Sequence, residues 1–208
     1  MKNDKITESP VEFFGKWAEI GKDIGMEEGH ASSVKFMINK LLENNNSKFT
    51  IIDAGCGNGW VTRLLSSIEN CDYSAGVDGA KQMIEKAKSV DPNGNYFYGD
   101  LTEWSPLEKV DIVHSMEVFY YFEDPMFVLS KIYNNWLKNK GKLIFGIDHY
   151  SENLTTLNWP AECGVYMNTK SIFEWETILK KVGFNNIKKW QVGAKNDWNG
   201  TLVFYCDK

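Results

Sequence analysis

The decisive stretch of the sequence is Ile51-Ile-Asp-Ala-Gly-Cys-Gly-Asn-Gly-Trp60, in which an apolar run ends in closely spaced glycines. The run from Phe49 to Asp53 is β-branched and bounded by turn residues, which predicts a short buried strand. A helical stripe comes next, formed by Val61, Leu64, Leu65 and Ile68. A strand, a glycine turn and a helix in this order bring backbone N–H groups close to a ligand.

The glycine spacing argues against a dinucleotide-binding turn. That turn needs the pattern G-x-G-x-x-G, and Trp60 stands where the third glycine would fall. Gly59 comes one residue early, and Asp53 lies two residues before the first glycine. An acidic group there favours a ligand with a positive charge near the turn over one that carries a pyrophosphate.

The rest of the chain alternates strand and helix patterns, which predicts an α/β fold. We expect a Rossmann-like, doubly wound, mainly parallel seven-stranded sheet with one antiparallel edge strand and helices on both faces. The later strands are predicted near residues 73–77, 96–98, 110–113, 142–147, 187–192 and 201–205. Helices are predicted before Asn44, around Met83 to Ala87 and over 127–137. A last helix is predicted over 171–182, where Ser171 and Glu174 form a capping box and Gly183 ends the helix.

Composition excludes several classes of protein. The 208 residues are 43% hydrophobic with a net charge of −5, so a disordered chain is excluded. Arg63 is the single arginine, which disfavours nucleic-acid binding. There is no apolar run of membrane-spanning length and no signal-peptide core, so we expect a soluble cytoplasmic protein without membrane contact. The scattered cysteines and histidines predict no metal site.

Four ordered motifs resemble class I S-adenosylmethionine-dependent methyltransferases, in particular their small, single-domain members. Asp53-x-Gly55-x-Gly57-x-Gly59 is similar to the first motif, Gly76-Val-Asp78 to the end of the second strand, and Tyr98-Gly-Asp-Leu101 to the end of the third. The stretch from Val110 to Pro125 resembles the fourth strand and the segment after it. The turn Asn139-Lys-Gly141 departs from the usual Pro-Gly-Gly. The resemblance covers about residues 49–147.

The resemblance implies S-adenosylmethionine as cofactor, with S-adenosylhomocysteine as product. In the family, the residue at Asp53 faces the sulfonium–amino acid end, that at Asp78 holds both ribose hydroxyls, and that at Asp100 contacts the adenine amino group. The implied cofactor-binding residues are Asp53, Gly55, Cys56, Gly57, Asn58, Gly59, Asp78, Gly79, Asp100, Leu101, Met116 and Glu117.

We expect one domain over residues 1–208, divided into four segments. Residues 1–30 form an N-terminal lid that precedes the first helix, and 31–148 form the cofactor-binding core. Residues 149–169 are a substrate-lid insertion without regular pattern, and 170–208 hold a helix and the C-terminal hairpin. No dimer signature is visible, so a monomer or loose homodimer is expected.

Candidate acceptor-side residues come after the fourth and fifth strands, where open α/β sheets bind ligands. We predict catalytic roles for His149, Glu117, Tyr121 and His30. His149 would remove a proton from the acceptor, and Glu117 would hold a positive charge. His114 lies inside a strand and is predicted to be a core histidine.

The leading hypothesis is therefore methyl transfer to a small-molecule acceptor, an amine, phenol or carboxylate, by in-line displacement. One alternative is a protein or tRNA methyltransferase that acts with a partner. Another is a non-catalytic protein that binds the cofactor. The sequence leaves the acceptor open.

Overall fold

The computed structural model of the chain describes residues 7–43 and 47–208. One mixed sheet runs through it in the order β3-β2-β1-β4-β5-β7-β6. The strands are β1 (Phe49–Ala54), β2 (Cys71–Asp78), β3 (Asn95–Tyr98), β4 (Val110–Met116), β5 (Leu137–Ile147), β6 (Asn185–Val192) and β7 (Thr201–Asp207). The helices are α1 (Pro10–Ile20), α2 (Ile24–Leu42), α3 (Trp60–Ser66), α4 (Lys81–Val90), α5 (Pro125–Lys131), α6 (Trp159–Cys163) and α7 (Ile172–Val182).

The predicted α/β architecture is confirmed, and all seven predicted strands are present. Strands β1 to β5 pair in parallel, whereas β7 is antiparallel to both of its neighbours, β5 and β6. The reversed strand thus lies one place in from the edge, and β6 forms the edge itself. The hairpin return places β7 between β5 and β6.

Two apolar layers hold the helices to the sheet. On one face, Ile51 packs with residues of α2 and α3 such as Val34 and Leu65. On the other face, Ile52 belongs to the layer that includes Trp175 of α7. Successive residues of β1 therefore enter opposite layers, as strand geometry requires. No helix of the described ranges is both long enough and apolar enough to cross a membrane.

The N-terminal region differs from the expectation. Within its described part, this segment forms α1 and the beginning of α2, so His30 lies inside a helix instead of before the first one. Helix α1 begins with a capping box between Ser9 and Glu12 and ends at Gly21, whose φ is 76°. These are ordinary helix start and stop signals. Residues 1–6 of the predicted lid lie outside the described residues.

Later elements keep the predicted order, with some boundaries shifted. The helix predicted over 127–137 ends earlier, because α5 stops at Lys131, a single π-helical turn comes after it, and β5 begins at Leu137. The predicted insertion 149–169 contains one short 3₁₀ turn and α6. Helix α7 has the predicted capping box between Ser171 and Glu174 and ends at Gly183.

Candidate functional site

The glycine loop between β1 and α3 places its three glycines in left-handed backbone, with φ of 75°, 52° and 78° at Gly55, Gly57 and Gly59. A Cβ at Gly55 would lie 2.2 Å from Val118, and one at Gly59 would lie 2.5 Å from Tyr96. A Cβ at Gly57 would meet only the Met83 sulfur, at 4.0 Å. Gly55 and Gly59 are thus required by packing, whereas Gly57 faces open space.

Asp78 at the end of β2 fixes this loop. Its carboxylate accepts hydrogen bonds from the backbone N–H of Gly57, at 2.9 Å, and from that of Ala80, at 2.7 Å. Burial raises the pKa of Asp78, although these two bonds act in the opposite direction. The carboxylate is therefore held in one orientation beside the glycine loop.

A cavity of about 450 Å³, which we call the main cavity because the motif residues line it, lies across the carboxyl ends of the first four strands. This is the point where the strand order reverses between β1 and β4, the usual ligand site of such sheets. Eight of the predicted cofactor-binding residues line it, namely Gly55, Gly57, Asp78, Gly79, Asp100, Leu101, Met116 and Glu117. Helix α1 covers it with Pro10, Val11 and Phe14.

A smaller cavity of about 30 Å³ adjoins the main one through Gly55, Gly57, Met26, Met116 and Glu117. The remaining predicted loop residues Asp53, Cys56 and Asn58 line this smaller space, together with His30. Gly59 lines neither cavity in the described part of the chain. Its place against Tyr96 supports the turn and does not face a ligand.

Asp53 and Asp100 make bonds within the protein. Asp53 is buried, and its two carboxylate oxygens lie 2.8 Å from His114 Nδ1 and 3.2 Å from the Thr62 hydroxyl. The Nε2 atom of His114 has no partner among the described residues, and its ring is buried in the sheet as predicted. Asp100 accepts hydrogen bonds from the backbone N–H and the hydroxyl of Thr102, in a local turn after β3.

Glu117 comes directly after β4 in a left-handed conformation, with φ of 60°, that is uncommon for a side chain of this size. Its N–H donates to the Gly146 carbonyl at 2.9 Å. One carboxylate oxygen accepts from the Asp148 N–H, and the other accepts from the Tyr120 hydroxyl at 2.7 Å. The Tyr121 hydroxyl lies 3.2 Å from that of Tyr120. Burial, and then the charge of Asp148, raise the pKa of Glu117 to about 8.

His30 of α2 joins Glu117 and Asp148 in one cluster. Its Nδ1 lies 2.8 Å from the Met26 carbonyl, and its Nε2 lies 3.5 Å from a carboxylate oxygen of Asp148. Burial disfavours the charged ring, but the Asp148 contact and the Glu117 charge outweigh it and raise the pKa of His30 to about 9. One polar atom from each of the three side chains lies within 4.8 Å of the others.

His149 does not join this cluster. The ring is fully buried, with Nδ1 3.0 Å from the Thr156 carbonyl and Nε2 2.7 Å from the Thr169 hydroxyl. Because a carbonyl only accepts, Nδ1 carries the proton, and Nε2 accepts from Thr169. Burial lowers the pKa of His149. The expected proton acceptor is thus a neutral ring whose two nitrogens are both bonded within the protein.

Two residues of the site have no role assigned to them by the sequence. Asp148, directly after β5, takes the place beside Glu117 that we expected for His149. Asp23 in the turn between α1 and α2 is buried, accepts from the Asn58 amide at 2.8 Å and pairs with Lys86 at 2.5 Å. The position of Asp148 at a strand end was a usable signal, whereas nothing in the pattern marks Asp23.

Comparison with known proteins identifies the family to which this chain belongs. The family model for a methyltransferase domain matches residues 30–189. The chain belongs to the class I S-adenosylmethionine-dependent methyltransferases. Because that match covers most of the chain, the family predicted from the four motifs is confirmed.

Curated relatives share parts of this chain. It is 36% identical over 80 residues to trans-aconitate 2-methyltransferase of Agrobacterium fabrum, a match that covers 38% of this chain and 31% of that protein. It is 32% identical over 120 residues to malonyl-[acyl-carrier protein] O-methyltransferase of Halalkalibacterium halodurans, which covers 54% of this chain and 44% of that one. The chain therefore spans less than half the length of these two relatives.

Solved structures share the fold over nearly its whole length. A Haloferax volcanii methyltransferase in complex with the activator Trm112 has a TM-score of 0.80 at 23% identity, covering 97% of this chain and 98% of that one. A Thermotoga maritima protein described as a possible histamine N-methyltransferase has a TM-score of 0.74 at 17% identity, covering 95% and 98%.

The residues of this chain fit the cofactor of its family. Gly57 leaves open space where any side chain would project, and the Asp78 carboxylate lies beside it at the cavity wall. The described lining of both cavities contains no lysine or arginine. An acidic lining suits a molecule that carries a sulfonium and an ammonium group.

Proposed function

We propose that the protein transfers a methyl group from S-adenosylmethionine to a small-molecule acceptor. The observation that carries this proposal is the covered cavity of about 450 Å³, which joins the cofactor-motif residues to Glu117 and Tyr121 beneath α1. Its volume lies in the range of about 300–1,000 Å³ that is typical of small-ligand pockets. The named curated relatives act on trans-aconitate and on malonyl-[acyl-carrier protein], so the acceptor group can be small.

The cofactor side of the site is assigned to the ends of β1, β2 and β3. Asp78 would bind the ribose hydroxyls, Asp100 the adenine amino group, and the loop at Gly57 the amino-acid end. Bound S-adenosylmethionine supplies a methyl group whose carbon–sulfur bonding pair stays on sulfur when the acceptor's lone pair forms the new bond. The protein's work is to orient the two molecules and to exclude water.

The acceptor side is assigned to the ends of β4 and β5. Glu117 and Tyr121 line the cavity there, and His30 lines the adjoining smaller cavity, which Glu117 also borders. Phe14 of α1 packs edge-on against the Tyr121 ring, with centroids 5.4 Å apart. The proposed proton acceptor is Glu117 in place of His149, since Glu117 lines the cavity.

The test is a transfer assay with labelled methyl-S-adenosylmethionine and a cell extract divided by molecular size. We expect label in the low-molecular-weight fraction and release of S-adenosylhomocysteine. Calorimetric titration with S-adenosylmethionine and with NAD serves as the binding control. Absence of S-adenosylmethionine binding, or binding of NAD instead, would contradict the proposal.

A second candidate, a macromolecular acceptor or an activating partner, is favoured by one surface. Strand β3 is an edge of the sheet, and two of its apolar side chains, Phe97 and Tyr98, are exposed. The fold-related protein from Haloferax volcanii is bound to an activator. Label that stays with protein or RNA in the same assay would support this candidate over the small-molecule acceptor.

A further inference from the structure

The charged side chains in the described lining of the two cavities are almost all acidic. The acidic side chains of their described lining are Asp23, Asp53, Asp78, Asp100 and Glu117. His30 is the one side chain of that lining that can carry a positive charge at neutral pH. A carboxylate or phosphate group binds best to cationic donors, especially to the arginine fork. The described lining offers no such donor.

His30 cannot take that role, because both of its nitrogens are engaged. Nδ1 faces the Met26 carbonyl at 2.8 Å, and Nε2 faces Asp148 at 3.5 Å. The carbonyl fixes the Nδ1 proton, so an imidazolium is the form in which Nε2 also donates. The positive charge of His30 is therefore matched by Asp148 within the protein.

The acids of the main cavity divide between the two sides of β1. Asp78 and Asp100 lie at the ends of β2 and β3, where the cofactor is proposed to bind. Glu117 lies at the end of β4, on the opposite side of β1 in the sheet order. The resemblance also names Glu117 as a cofactor-binding residue, but its place at the end of β4 makes it the lining acid of this cavity best placed to reach an acceptor.

The surroundings hold Glu117 in place and leave one buried carboxylate oxygen beside it without a hydrogen-bond partner. Its backbone is in a left-handed conformation, and Asp148 and Tyr120 each donate to one of its oxygens. Asp148 is only 5% exposed, and its Oδ1 atom has no partner among the described residues. Burying an unpaired carboxylate oxygen is costly, so this cluster favours a cation or a proton donor nearby.

Aromatic rings form the neighbouring wall. Phe14, Tyr121 and Phe122 all line the main cavity, and the Phe14 and Tyr121 planes cross at 75°. Ring faces attract ammonium groups, most strongly where water is excluded. Carboxylate and rings together are a recognition site for an amine.

From this geometry we infer that the acceptor is a primary or secondary amine, and that Glu117 binds its nitrogen and takes its proton. The inference rests on the proposed function and narrows its substrate class. An alkylammonium must lose one N–H proton before its nitrogen has a lone pair for the new bond. That proton passes to the Glu117 carboxylate, which gives a neutral amine and a neutral carboxylic acid.

The test uses calorimetry on the protein saturated with S-adenosylhomocysteine. The probes are amines, each matched by a carboxylate and an alcohol of similar skeleton, beginning with phenethylamine, 3-phenylpropanoate and 2-phenylethanol. We expect amines to bind at least about tenfold more tightly than their matched acids. Glu117→Gln should remove this preference, and the control Glu108→Gln, at an exposed position, should retain it.

Proton release provides a second readout. The pKa of about 8 means that Glu117 holds a proton in the free protein at pH 7, and an incoming ammonium would displace it. Amine binding should release up to about one proton, seen as a buffer-dependent enthalpy, and Glu117→Gln should release none.

Three results would overturn the inference while S-adenosylhomocysteine still binds. One is equal or tighter binding of the acids, and another is binding of no amine in the panel. The third is tight Mn²⁺ binding that requires Glu117, which would assign His30, Glu117 and Asp148 to a metal. Failure of S-adenosylhomocysteine to bind would instead contradict the proposed function.

Discussion

Asp78 acts on the cofactor site in two ways. It lines the cavity, and it holds the N–H of Gly57, the loop glycine that faces open space. Asp78→Ala should weaken S-adenosylmethionine binding at least about tenfold, because charge-assisted hydrogen bonds contribute about 1.5–3 kcal/mol each. Calorimetry measures this. Asp72→Ala, at the start of the same strand in an exposed pair with Lys48, is the matched control. Equal affinity in the two variants would refute the role of Asp78.

His149 is predicted to stabilise the fold. His149→Ala would leave the Thr156 carbonyl and the Thr169 hydroxyl without partners in a buried place. Each unsatisfied group costs about 1–3 kcal/mol, so the melting temperature should fall by about 4 °C or more. Affinity for S-adenosylhomocysteine should change little. A variant with the wild-type melting temperature but about 10²-fold lower turnover would return His149 to the role of proton acceptor.

At the scale of elements, the glycines of the loop have two different roles: Gly59 is required by packing, whereas Gly57 faces open space. Gly59→Ala would drive a methyl group against Tyr96 and Ala87, and it would also place a side chain in left-handed backbone. Gly57→Ala carries only the second cost, about 1–2 kcal/mol. We therefore expect Gly59→Ala to lower the melting temperature more. For each degree by which the melting temperature falls, Gly57→Ala should lose more cofactor affinity than Gly59→Ala. Calorimetry at a temperature where both variants are folded measures the affinity. The reverse order would contradict this division.

The elements that the sequence predicts well are those that carry their own signals. Helix α7 has a capping box and a terminal glycine, and the strands have apolar runs before acidic or glycine residues. Helix α1 has the same type of box at Ser9 and Glu12, a start signal that the lid interpretation of residues 1–30 leaves unused.

The candidate site is harder to predict because it depends on which way neighbouring side chains point. Asp148 and His149 are adjacent in the irregular segment after β5, where strand alternation no longer fixes the direction of a side chain. Periodicity alone does not say which of them faces the ligand. The contact between His30 and Asp148 joins residues 118 positions apart through the packing of α2, and no local pattern encodes it.

At the scale of the whole molecule, α1 and the turn that joins it to α2 are connected by hydrogen bonds to the elements beneath the cover of the main cavity. Asp23, in the turn between these helices, joins Asn58 of the glycine loop and Lys86 of α4. Gln82 of α4 also donates to Glu19 of α1. The cover is thus joined by hydrogen bonds to the glycine loop and to α4.

Glu117 and His30, both partly buried, make the stability of the protein depend on pH. The pKa of Glu117 is raised to about 8 and that of His30 to about 9, so the folded chain holds protons that the unfolded chain releases. Asp148, Tyr120 and Tyr121 are the other titratable groups around Glu117. For both raised groups, stability is greatest below the unfolded pKa and is lost as pH rises through the folded value.

The free protein should therefore melt at a lower temperature as pH rises from about 6 to about 8.5. A loss of about 2 kcal/mol corresponds to about 4–8 °C for a chain of this length. Glu117→Gln removes one of the two groups and the negative charge that helps to raise the other, so its melting temperature should depend less on pH. Scanning calorimetry of both proteins across this range measures the difference. If the melting temperatures of the two proteins fell in parallel with pH, Glu117 would be ionised in the folded protein throughout this range. The proton release expected on amine binding would then be absent as well.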